Sequence, residues 1–486
     1  MSYLSLSFAA FVAVLLVLYY LLPAKWRVGV LLVASIGFYA CFDLRYLLFL
    51  LIAAVSTFLC ARFLPRLKKK GLWIGACITL NAGIWFAIKE LPWLLITASR
   101  LFEKVGLPAL PVLSWLVPVG LSYFTLQAIG YLVDVAKGRI QAETNVFRYM
   151  LFLSWFPAIV QGPISRYEQL MPQLQNTKKF SFETMRSNLL LILFGLVKKM
   201  VIADRLGLFV NTCFGKFSEL HGAILYLAAV GYAIQLYADF SGCVDLCRGV
   251  SGLFGVDLVR NFDRPYLARS IKEFWGRWHI SLSTWLKNYI YIPLGGNRKG
   301  TMRKYGNIFA TFMVSGLWHG AGFNFFLWGG LHAVYQIIGQ ATLPLRNKVK
   351  ALIGVKEGSL SERIYQTVIT FHLVTFAWII FRAGGLMTGL SYIKNMLVSA
   401  DLWVLFNGDL FKFGLSQNYL VLLLVHIVAL FAIEMCTKSQ QHAIEGIQRQ
   451  HLVLRWAIYL VLIFDVLLFG VYGSGYDMAS FMYGGF

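Results

Sequence analysis

Apolar runs of membrane-spanning length recur along this chain. They lie near residues 4–22, 28–41, 46–63, 72–88 and 111–133, and again near 147–160, 188–203, 222–240, 305–317, 322–340, 366–381, 385–399, 418–435 and 454–472. A hydrocarbon layer about 30 Å thick asks for about 20 apolar residues per helix. Lipid offers no partner to a backbone amide, so such a run must form its hydrogen bonds within itself. Only 14% of the 486 residues are charged and 58% are hydrophobic, against about a quarter charged in a soluble domain. The expected fold is an all-α polytopic membrane protein, one domain over residues 1–486. Several runs are short or broken by Gly and Pro, which predicts about 11 transmembrane helices plus re-entrant or interfacial ones. Residues 341–363 and 436–451 are polar enough to be aqueous loops.

Charge sets the orientation. Lys and Arg number 44 against 22 Asp and Glu, a net +22. In a soluble protein that excess would suggest nucleic acid; here most of it falls in short loops, where cytoplasmic retention and anionic lipid account for it. Nucleic acid is therefore excluded as a partner, and the lipid bilayer is expected as one. The basic 62–71 loop and the Lys137–Arg148 loop belong in the cytoplasm, with the N-terminus outside. Residues 4–22 lack a basic n-region and a small-residue cleavage site, so they read as a retained span. The seven cysteines lie mostly in apolar runs, and Cys243 and Cys247 lack the spacing of a metal or redox motif. They are read as packing residues, with no metal site.

The run Val314–His332 is apolar and long enough to span, yet it holds His319, His332 and five glycines. A titratable side chain at membrane depth is costly and normally faces a cavity. Imidazole is suited to moving protons near neutral pH, and the neighbouring glycines leave room for a ligand. His319 is read as a candidate general base; the bland alternative is a core histidine bonded to a carbonyl. His332 follows 13 residues later, about 220° round an ideal helix. One unbroken helix cannot present both rings to a point, although a break at Gly320 or Gly322 would reset the geometry. Asp239 and Asp245 also stand in an apolar run. Asp245 has Arg248 one turn on and is expected to form an ion pair.

Between Arg260 and Tyr305 ten Lys and Arg stand against Asp263 and Glu273, +8 over 46 residues. That stretch is too charged to span. Trp275, Trp278, Leu282, Trp285 and Tyr289 recur at helical spacing, and Arg277, Ser281, Thr284 and Asn288 form a separate polar strip, with His279 on the far side. An amphipathic helix at the cytoplasmic interface is one reading. A cationic shelf for a phosphorylated donor is the other: Arg277, with Asn297, Arg298 and Lys299 of the Gly-rich turn Tyr291–Gly300, would supply cations and backbone amides.

These residues carry a resemblance. Tyr237–Gly242, Phe262–Tyr266, Phe274–Trp285, Tyr291–Gly300 and Leu317-Trp318-His319-Gly320 resemble the membrane-bound O-acyltransferase (MBOAT) family. Its bacterial branch that O-acetylates polysaccharides such as alginate, cellulose or peptidoglycan is the most similar. Trp155–Ile164 and the closing Phe481–Phe486 fit the same pattern. The resemblance implies that His319 and His279 are the two catalytic residues, set in a helical ring around a central tunnel. It implies acetyl-CoA as a cytoplasmic donor substrate with no permanently bound cofactor, and an extracytoplasmic polysaccharide acceptor. It further implies a partner transferase of SGNH type, with a Ser-His-Asp-like site, and a bacterial plasma-membrane location. Gly276 and Cys243-Val244 depart from the branch's commoner residues and leave the exact glycan open. The rival readings are D-alanyl transfer from a carrier protein to teichoic acid, an ion-coupled transporter or flippase using His319 and Asp239, and a non-catalytic scaffold.

Overall fold

The structure is a computed structural model that describes residues 1–111, 116–437 and 439–472; the Phe481–Phe486 run lies outside them. Regular structure among the described residues is helical throughout. Six helices are long and apolar enough to cross a membrane: Tyr46–Arg66, Lys70–Lys89, Ala223–Leu253, Leu360–Arg382, Gln417–Cys436 and Leu452–Phe469. Leu6–Leu21 and Leu121–Ala136 are apolar but shorter. Gln417–Cys436 and Leu452–Phe469 leave Val421, Val425, Val428, Val461, Leu467 and Leu468 exposed. Apolar side chains displayed in this way on long helices suit a lipid surround rather than water.

The described residues fall into two compact units. One is built from the described residues of Met1–Ile192 and Val244–Val259, the other from those of Leu193–Cys243 and 260–472. In the first, buried polar groups tie the helices together. Thr57 and Tyr149 share a hydrogen bond of 2.7 Å, and the Trp155 indole donates to the Ser251 hydroxyl at 3.0 Å. The ion pair expected of Asp245 and Arg248 is present at 3.7 Å.

The second unit holds the histidines. Its centre is a hairpin of two helices, Thr301–His319 and Phe323–Ala341. The Val314–His332 run is thus interrupted at the Gly320–Gly322 break that the sequence left open. Gly322 has a φ of 145°, which an L side chain rarely adopts, and a Cβ there would lie 2.5 Å from the Asn324 carboxamide oxygen. Gly320 is crowded too, its missing Cβ falling 2.7 Å from the Phe325 ring. Two such residues within three end one helix and start the next. Lower in the hairpin a Cβ at Gly316 would strike the Phe325 carbonyl oxygen, and one at Gly329 the Phe312 carbonyl oxygen. The helices approach so closely because these positions have no side chain.

One expectation is revised. The single helical stripe read through the 260–305 belt is broken into Ile271–Arg277, Ile280–Leu286 and a π-helical turn, Lys287–Tyr291. The segments 341–363 and 436–451, expected as aqueous, contain the short helices Leu343–Leu352 and Gln440–Gln448, which leaves that expectation untouched.

Candidate active site

His319 is the last residue of its helix, fixed there by the Gly320–Gly322 break. Its ring is almost wholly buried and makes edge-on contacts with Trp318 and Trp328, both 4.9 Å between centroids, and with Phe381 at 5.5 Å. The break also resolves the 220° objection to His332. Folded back in the second helix, His332 meets the same Trp328 ring at 5.0 Å. Its Nδ1 accepts the Trp275 indole N–H at 3.2 Å. That hydrogen bond puts the proton of a neutral His332 on Nε2 and gives the residue a packing role.

His279 joins two helices of the belt in a left-handed conformation, φ 44° and ψ 54°. This costs a non-glycine residue roughly 1–2 kcal/mol and needs support. Asn261 supplies it. The Asn261 backbone oxygen accepts the Ile280 N–H, and its side-chain oxygen accepts the Ser281 N–H, both at 3.0 Å. Asn261 therefore caps a helix whose own N-cap residue, a histidine, does not. The His279 ring packs edge-on against Phe240 at 4.8 Å and Trp318 at 5.8 Å. His279 lies on the belt, outside the candidate spans, and complete burial pushes its pKa down to about 3. It is a neutral imidazole at working pH. Strained backbone around a buried titratable ring is characteristic of functional sites.

A cavity of about 910 Å³ is lined by Ile280, the residue after His279, and by Ser315, and by neither imidazole. Its basic lining residues are Lys272, Lys287, Arg298, Lys299 and Lys304, and among the described residues no Asp or Glu lines it. Asn297 is on its wall with Arg298 and Lys299. The turn that carries them needs glycine: φ is 111° at Gly295 and 56° at Gly296, and Asn307 anchors it by donating to the Gly296 oxygen at 2.9 Å. The cavity wall continues up the hairpin through Ile308, Thr311, Phe312 and Ser315. Ser315 is one helical turn from His319. Trp275, the donor to His332, lines it as well.

Arg277 is placed differently. Its guanidinium is held by Glu273 at 2.6 Å and by the Arg264 carbonyl at 3.3 Å, and it does not line the cavity. Five of the six candidates from the sequence thus fall into two groups: His279 and His319 on the Trp318 ring, and Asn297, Arg298 and Lys299 on the cavity wall, which neither histidine lines.

Sequence reasoning missed a buried charge cluster. Lys199, in the π-helical turn Val197–Ala203, pairs with Asp239 at 2.5 Å and Asp204 at 2.8 Å. Gly242 allows this approach, since a Cβ there would lie 2.8 Å from the Gly195 oxygen and 3.1 Å from the Lys199 nitrogen. Asp239 precedes Phe240, the ring against His279. A lysine inside the 188–203 apolar run was the available signal.

Comparison with known proteins follows this geometry. The sequence profile of MBOAT, the membrane-bound O-acyltransferase family, matches residues 38–371. The chain is similar to a probable alginate O-acetylase of Pseudomonas aeruginosa, 34% identical over 77% of this chain and 71% of that one. A peptidoglycan O-acetyltransferase of Helicobacter pylori is 31% identical over 78% of this chain and 74% of its own. A teichoic acid D-alanyltransferase of Bacillus subtilis is 29% identical over 54% of this chain and 68% of its own.

Proposed function

Because the chain belongs to the membrane-bound O-acyltransferase family and is therefore a multi-pass membrane acyltransferase, we propose that it takes acetyl from cytoplasmic acetyl-CoA. The acetyl group passes to an extracytoplasmic polysaccharide, or to an SGNH-type partner transferase that acetylates the polysaccharide. About 11 spans around a tunnel, in a bacterial plasma membrane, belong to the same proposal. The observation that carries it is the cationic cavity ending one turn from His319. Five cations without a lining carboxylate suit the phosphates of a CoA thioester, and a volume of about 910 Å³ suits a ligand of that class.

In this mechanism His319 takes the proton of the acceptor hydroxyl as its oxygen attacks the thioester carbonyl. The tetrahedral intermediate then expels the CoA thiolate, which recovers the proton from the imidazolium. His279, neutral and donating from a ring nitrogen, stabilises the oxyanion or orients His319. The cations on the wall hold the donor and do no proton transfer.

The relatives named for O-acetylation cover more of the chain at higher identity than the one named for D-alanyl transfer. A free thioester with phosphates also makes better use of a concave cationic cavity than a docked carrier protein would. Membership of an acyltransferase family sets aside the transporter and the scaffold. The test is acetyl-CoA binding by the detergent-purified protein, with wild type against a Lys287→Glu/Lys299→Glu double variant. Wild-type binding that weakens at least tenfold in the variant supports the donor assignment; no binding by wild type removes it and brings forward a carrier-protein donor.

A further inference from the structure

A second cavity, of about 430 Å³, lies where two of the long apolar helices turn round. Gln417–Cys436 ends at it, with Ile433 and the capping Thr437 on the wall, and Leu452–Phe469 begins beside it with Leu454 and Ile458. The short helix Gln440–Gln448 bridges the two and forms the rim. Arg264 of the basic belt donates to the Thr437 carbonyl at 3.3 Å, which sets the rim at the level of the belt. A cavity at the ends of spanning helices sits at the depth of lipid headgroups.

The lining divides in two. The floor is apolar, made of Phe194, Ile433, Leu454 and Ile458. From Ile433 an exposed stripe runs back along its helix through Ala429, Val425 and Val421, at the four-residue spacing of one helix face. Leu454 and Ile458 continue in the same way into the exposed Val461 and Leu468. An acyl chain seated on the floor would follow these faces into the bilayer. The rim is charged, for His442, Glu445 and Arg449 all line the cavity. Glu445 and Arg449 stand one turn apart, where opposite charges on a helix stabilise each other, yet no ion pair joins them. The Glu445 carboxylate has His442 Nδ1 at 3.9 Å and Gln441 Nε2 at 3.4 Å. The Arg449 guanidinium has no hydrogen-bond or ionic partner among the described residues. A guanidinium and a carboxylate side by side above an apolar floor offer one place for a phosphate and another for a cation. A purely basic rim would call for an anionic headgroup, whereas this one calls for a zwitterion. The carboxylate also favours a primary ammonium, which donates hydrogen bonds to it, over a trimethylated one, which has no N–H to give.

We propose that this cavity binds a phospholipid whose headgroup carries a primary ammonium, of the phosphoethanolamine class. Arg449 holds the phosphate, Glu445 the ammonium, and one acyl chain lies on the floor between Ile433 and Ile458. The assignment is independent of the acyl-transfer reading and does not use His319.

The experiment is native mass spectrometry of the full-length protein, delipidated in detergent and titrated with dioleoyl phosphatidylethanolamine, phosphatidylcholine or phosphatidylglycerol. Wild type binds its first ethanolamine lipid about fivefold more tightly than the choline or the glycerol lipid. Arg449→Gln weakens ethanolamine-lipid binding about fivefold, as loss of one interfacial cation should. Glu445→Gln keeps the phosphate contact and removes the preference over the choline lipid. Gly446→Trp weakens all three lipids; Gly446 lines the cavity, and a Cβ added there meets nothing within 4 Å, so the indole takes the space of the chain without crowding the helix. Melting of the lipid-free variants verifies folding, and if Gly446→Trp does not fold, Gly446→Leu takes its place. Equal binding of the ethanolamine and choline lipids by wild type overturns the proposal. So does tighter binding of the glycerol lipid, which would make the rim a plain anion site. A preference that survives Glu445→Gln, or ethanolamine-lipid binding unimpaired by Arg449→Gln or by the Gly446 variant, overturns it as well.

Discussion

His279 and His319 rest on one indole, that of Trp318, at 5.8 and 4.9 Å. Forty residues separate them in sequence, and a belt loop and a helical hairpin must pack correctly for them to share it. The arrangement has a consequence for acid stability. His279 titrates near pH 3 when folded and near 6.5 when unfolded. Between those values the unfolded chain binds the extra proton, so the stability of the buried neutral ring is complete above about pH 6.5 and is lost as pH falls toward 3. His279→Asn keeps a residue that tolerates the left-handed backbone and removes the titration. Thermal inactivation in detergent between pH 7.5 and 5 is expected to show a shallower acid dependence in this variant. An unchanged slope would mean that His279 is not buried neutral.

The hairpin makes a sharper mutational prediction, because its glycines differ in what surrounds them. Gly316→Ala and Gly329→Ala each push a methyl into the carbonyl of the opposing helix, while Gly339 has open space where its Cβ would be. The first two variants are expected to lose at least about 2 kcal/mol, within the range for overpacking, and to impair activity by moving His319. Gly339→Ala is expected to be neutral or to gain up to about 1 kcal/mol from helix propensity. Fluorescence-detected unfolding of the purified variants measures all three.

The Lys199 cluster responds to charge. Its side chain and that of Asp239 are each only 2% exposed. Lys199→Met strands two buried carboxylates, and a loss of about 3–5 kcal/mol is expected, the range for removing one partner of a buried pair. Asp239→Asn leaves Lys199 with Asp204 and is expected to cost less. A fall in melting temperature that is greater for Lys199→Met than for Asp239→Asn is the readout.

Much of this was legible in the sequence, for identifiable reasons. Long apolar runs, the basic 260–305 belt and a histidine among glycines are local patterns, and each appears where local physics puts it. The Asp245–Arg248 pair follows from helical spacing alone. What was not legible depends on chain reversal or long-range pairing. The helical wheel set His279 away from its neighbours because it assumed an unbroken helix, whereas Asn261 imposes a left-handed turn from outside it. Arg277 looked like a phosphate ligand, yet Glu273, one turn away, takes its guanidinium. Lys199 and Asp239 lie 40 residues apart, and nothing local announces that Gly242 lets them meet.

The most direct test is single-turnover release of CoA from acetyl-CoA by purified wild type and His319→Ala, with donor binding measured on the same samples. We expect His319→Ala to bind acetyl-CoA as wild type does and to lose at least a hundredfold in turnover, the lower range for removing a general base. A variant that turns acetyl-CoA over at the wild-type rate would contradict the assignment of His319 as the base and return it to the packed core with His332.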